Sequence, residues 1–128
     1  MMDATTALSR LTHRAETAFA NDDKARATLA DSLGKASALQ LTWQMEEALT
    51  ASAIAKPWRD LAKRIERHGV REGLAKQKAE ALEVLLQYGM TASTSQIRNV
   101  AQLAEQEGLR RFLNTVDTIE IDEDAAAG

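Results

Sequence analysis

Between Lys24 and Lys56 the chain runs for 33 residues with no proline and a single glycine, Gly34, and the run is dominated by Ala, Leu, Gln, Glu and Met. These side chains lose least on entering a helix. As one helix the run would span about 50 Å, whereas a compact domain of 128 residues is only about 35 to 40 Å across. A helix that outruns its own globule has to be covered by an elongated bundle, a partner helix or a second copy of the chain. The feature therefore bears on association rather than catalysis.

Covering material is scarce within the chain itself. Of its 57 apolar residues, 24 are alanine, which allows helices to approach closely but buries little area. A monomer built this way is expected to have modest stability unless association adds apolar contact. No apolar stretch reaches the roughly 20 residues of a membrane span. Met1-Met2-Asp3-Ala4-Thr5 lacks the basic start and apolar stretch of a secretory signal, and cysteine is absent. The expected setting is the cytoplasm, without a membrane and without disulfides.

Local signals divide the chain into helices. Asp3 caps a first helix with Leu8, Leu11, Ala15, Ala18 and Phe19 at three- and four-residue steps, ending near Asn21. Asp22 or Asp23 then caps the long helix, where Leu29, Leu33, Ala36 and Trp43 form one apolar side and Leu41, Met45 and Leu49 another. Pro57 suits the first turn of a third helix carrying Trp58, Leu61, Ala62 and Ile65, and Gly69 its end. A further period runs from Val70 to Gly89. Ser93 with Gln96 reads as a capping box for a helix closed by Gly108, and Leu109 to Val116 suit a short last helix. The expectation is an all-α, elongated bundle of about five helices with one long helix. It comprises a single domain over residues 1–121 and a disordered acidic tail over 122–128.

Charge is unevenly distributed: Lys56 to Lys78 holds eight basic and three acidic residues, and Gln102 to Gly128 two basic and seven acidic. Lys56, Arg59, Lys63, Arg67 and Arg71 recur at helical steps opposite Trp58, Leu61 and Ile65. Such a face can meet phosphates or an acidic protein surface, or simply face solvent. Val100 to Leu109 imitates the first half of a DNA-binding helix-turn-helix, extending the candidate to residues 96–116. The expected inner positions of its second half are the polar Asn114 and Asp117. His13 with Glu16 reverses the Glu-x-x-His order of helical metal sites, and the two histidines form no Ser-His-acid pattern. Lys63-x-x-x-x-His68 has the spacing of the Arg-x(4–6)-His motif of helical HEPN ribonucleases but not its arginine, and Arg64 stands one residue too close, so the motif is approached and not matched.

Arg71-Glu72-Gly73, Ala79 to Leu86, Gly89-Met90, Gln96-Ile97-Arg98 and Leu109 to Leu113 follow one another before Thr115 to Glu123. In this order the segment 71–124 resembles the helical C-terminal region of Rpn-type recombination-promoting nucleases, a group of putative-transposase proteins. The family often has Trp where Phe112 stands. The resemblance implies an accessory or oligomerising piece without its nuclease, since the only Asp-x-Lys, Asp22-Asp23-Lys24, falls in a helix-to-helix turn and not on a strand.

Together these readings point to a non-enzymatic helical module that binds protein, with itself as the expected partner, and uses no cofactor. Lys56, Trp58, Arg59, Lys63, Arg67 and Arg71 are its candidate partner-binding residues, and Leu33, Trp43, Met45 and Leu49 its candidate oligomer interface. A nucleic-acid-binding regulator using the basic helix 56–71 or a degenerate helix-turn-helix at 96–116 is the alternative.

Overall fold

The computed structural model describes residues 2–90, 96–119 and 121. It contains four helices, α1 (Ala4–Ser32), α2 (Ala38–His68), α3 (Val70–Met90) and α4 (Gln96–Asp117). The described residues contain no strand, only an isolated parallel bridge between Met2 and Ile121. The bundle class is as expected, but there are four helices where about five were expected.

Asp3 caps α1 by accepting from the Thr6 N–H at 2.7 Å, and that hydrogen bond holds its carboxyl below the ordinary range. The break expected near Asn21 is absent, and Asp22 and Asp23 are interior residues of α1. Asp22 does not cap because it is buried and engaged elsewhere: its two oxygens take Arg26 one turn on at 2.9 Å and Arg59 of α2 at 2.8 Å. Tertiary pairing overrides the turn-forming composition there.

The long helical run is instead divided at Gly34, whose φ of 81° lies in the left-handed region open to glycine. The Lys35 and Ala36 N–H groups return to the Ser32 carbonyl. Ser37 and Gln40 then form a reciprocal capping box that starts α2. The chain folds back, so no single 50 Å rod forms. The contact of Arg26 with Ser52 at 2.9 Å fixes α1 and α2 as antiparallel.

Pro57 does not begin a helix but lies inside α2. Lacking an N–H, it leaves the Ala53 carbonyl without its i+4 donor. Gly108 of α4 packs against that carbonyl, so closely that a Cβ there would lie 2.5 Å from the Ala53 carbonyl carbon and 2.7 Å from its oxygen. Gly108 is therefore a crossing point, and α4 runs through it unbroken. Gly73 has the same role beside α2, where a Cβ would meet the Ile65 nitrogen at 2.8 Å. Of the expected breaks, Gly69 ends α2 with φ 85°, and α3 stops at Met90, next to Gly89. Ser93 and the tail 122–128 lie outside the described residues.

α2 packs against each of the other helices, with α3 antiparallel and α4 parallel to it. The core lies around its C-terminal half. Trp58 meets the Phe112 ring edge-on at 4.8 Å, with Leu61, Val70, Leu74, Leu113 and Val116 buried around them.

Candidate protein-interaction surface

A 31-residue α2 is about 46 Å long and a 21-residue α3 about 32 Å, at 1.5 Å per residue. Since the Gly69 corner aligns their adjoining ends, α3 covers only the C-terminal part of α2. The uncovered part of α2 pairs with the end of α1, and in residues 23–47 no side chain is buried. Half-buried residues recur there as Ala25, Leu29 and Ala36, then Leu41 and Gln44. Their helical spacing marks the seam between the two helices.

The other faces of this open end are apolar and exposed. Leu33, Trp43, Met45 and Leu49, the expected oligomer residues, are all exposed, and so is Leu39, at 82%. Leu39 and Trp43 share one side of α2, Met45 and Leu49 another, each pair one turn apart. The register set by Gly108 brings the exposed Leu103 of α4 to the same half of the bundle, and that set by Gly73 places Leu82 and Leu86 of α3, also exposed, beside the middle of α2. Among the described residues only Leu8 is an exposed large hydrophobe at the other end. A cavity of about 450 Å³ opens beside Trp43, walled by Asn21, Glu46, Glu47, Ile54 and Arg111. The sequence reading missed Leu39 because it did not locate the start of α2, although Ser37-x-x-Gln40 carries that signal.

The expected partner-binding set is not brought together. Trp58 is 3% exposed and stacked in the core, and cannot meet a partner. Arg59 is spent on Asp22 and lies 5.4 Å above the Phe19 ring, and Lys56 pairs with Asp60 at 2.9 Å. Arg71 falls beyond the Gly69 turn, on α3, off the shared face. Lys63 and Arg67 remain exposed on α2, beside Arg64, which pairs with Glu80. Around Lys56 the field is acidic: the hydrogen bond it donates to Asp60, then the fields of Asp60, Glu80 and Glu105, raise its ammonium above the usual value against the effect of burial.

A second cavity, of about 410 Å³, lies among α2, α3 and α4. Its ionic walls are internally paired, as Lys56 with Asp60, Arg59 with Asp22 and Glu80 with Arg64. The Tyr88 hydroxyl donates to Glu105, which pushes its ionisation up to about 12. At neutral pH this tyrosine is a neutral donor rather than a base. Among the described residues no group of three or more His, Asp or Glu side chains could hold a metal ion, and no helix is long and apolar enough to cross a membrane. The unbroken α4 also removes the turn that a helix-turn-helix over 96–116 requires.

Asp22 is the other residue whose importance the sequence did not reveal. Burial alone would raise its carboxyl, and the hydrogen bonds and charges of Arg26 and Arg59 outweigh that effect, leaving it below the ordinary value. It pins α1 to α2 where the closed and open ends of the bundle meet. Comparison with protein-family models, with characterised proteins and with solved structures finds no match to this chain.

Proposed function

We propose that this chain is a non-catalytic helical interaction module that associates with a second copy of itself through its open end. The observation that carries the reading is the gathering of Leu33, Leu39, Trp43, Met45 and Leu49, all exposed, on a half of the bundle where residues 23–47 bury nothing. Contiguous exposed apolar surface marks interaction sites, and a tryptophan within it is the commonest kind of binding anchor. The resemblance of residues 71–124 to the helical region of Rpn-type proteins is in keeping with an accessory role beside a nuclease-type system. Sedimentation or light scattering across micromolar to millimolar concentration tests the reading. A concentration-dependent rise above the 14.0 kDa monomer is expected, weakened by Leu33→Asp or Leu39→Asp. A strictly monomeric mass throughout would refute it.

Nucleic-acid binding is the weaker reading, since of the five stripe cations only Lys63 and Arg67 are exposed on one helix with no ion pair among the described residues. Duplex and single-stranded oligonucleotides are expected to bind no tighter than about 10⁻⁴ to 10⁻⁶ M at physiological salt. Sub-micromolar, sequence-selective binding in an anisotropy titration would reverse the order of the two readings.

A further inference from the structure

From Lys35 at the helical turn to Glu46 and Glu47, the open part of α2 is basic at one end, acidic at the other and apolar between, with Leu39 and Trp43 one turn apart. Lys35, Glu46 and Glu47 are exposed, and none forms an ion pair among the described residues. On a helical wheel Leu39, Trp43, Glu46 and Glu47 fall within about 100° of one another. The half-buried Leu41 and Gln44 point the other way, toward α1. A two-fold interface must be self-complementary, so that residue i meets residue j and j meets i. Side-by-side parallel packing of two such faces would set Lys35 against Lys35 and Glu47 against Glu47. Antiparallel packing centred on residue 41 pairs Lys35 with Glu47 and Leu39 with Trp43, twice over.

We propose that two copies of this chain pair through the open ends of α2 in antiparallel, isologous fashion, with Leu39 of each seated against Trp43 of the other and Lys35 of each facing the Glu46–Glu47 pair. The α1–α2 hairpins of the two copies complete a four-helix bundle. This geometry rests on the self-association reading above. It separates the tryptophans by function: Trp58 holds the monomer together and Trp43 the dimer.

Charge reversal and swapping test the arrangement, with the dissociation constant measured by sedimentation at low salt and folding checked by helicity. Each ion pair occurs twice in a two-fold contact, so Lys35→Glu or Glu47→Lys alone should weaken association roughly fivefold. The combined Lys35→Glu/Glu47→Lys chain should recover to within about twofold of the wild type. Leu39→Asp, a surface change, should weaken association by more than about tenfold with helicity unchanged. Wild-type association that the single reversals leave unchanged, or that the double variant fails to restore, would overturn the antiparallel geometry while leaving self-association standing. A wild-type monomer at all concentrations would overturn both.

Discussion

Trp43 and Trp58 stand on the same helix, yet one is 65% exposed and the other 3%. Residue type does not separate them, and neither does local helix propensity. At Trp58 the helix is flanked by α1, α3 and α4, and the ring meets Phe112. At Trp43 α3 no longer covers α2, and no side chain from 23 to 47 reaches burial. One helix thus has a closed end that forms the core of a monomer and an open end whose apolar surface the monomer leaves uncovered.

The sharpest way to break this comparison is to truncate both rings. Trp58→Ala should cost about 3 to 5 kcal/mol of monomer stability, as a large buried aromatic does. Trp43→Ala should change the stability of dilute monomer by no more than about 0.5 kcal/mol while weakening association. Denaturant titrations at low and high protein concentration separate the two effects. Equal losses at low concentration would show that the ends do not differ.

A glycine pair tests the same contrast in the backbone. Gly108→Ala forces a methyl into the Ala53 peptide group, so a loss of about 1 to 3 kcal/mol is expected despite alanine's better helix propensity. Gly34→Ala meets no atom within 4 Å and costs only the strain of its positive φ, about 1 kcal/mol. Urea midpoints of the two variants rank them directly.

A pH-dependent effect is expected at the junction of the two ends. Asp22→Asn should lose about 1 to 2 kcal/mol at neutral pH, because the carboxylate charge goes and the amide keeps one acceptor oxygen where Arg26 and Arg59 each use one. The folded carboxyl titrates below its ordinary 3.8. Its contribution is therefore complete above that value and fades as pH falls through the folded one. Stability curves of wild type and variant should run parallel near neutrality and converge below about pH 4. Curves that stay parallel into acid would remove the ion pair from the account.

Much of this fold was legible locally. The helical class, the Asp3 cap and the Gly69 stop all follow from periodicity and capping. The basic stripe misled because spacing along a sequence cannot reveal that Asp22, distant in sequence, claims Arg59, and because the helical spacing was carried to Arg71 past the stop that Gly69 signals.

By itself the sequence determined that the chain is helical and poor in large core residues. Only the tertiary structure decided where the helices end. Gly34 and Gly69 break the chain because their backbones take positive φ, whereas Gly73 and Gly108 sit within helices because a neighbouring backbone leaves no room for a side chain. Pro57 stays inside α2 with Gly108 packed on the carbonyl it frees. The same residue type carries both meanings, and which one holds depends on contacts between residues far apart in the chain.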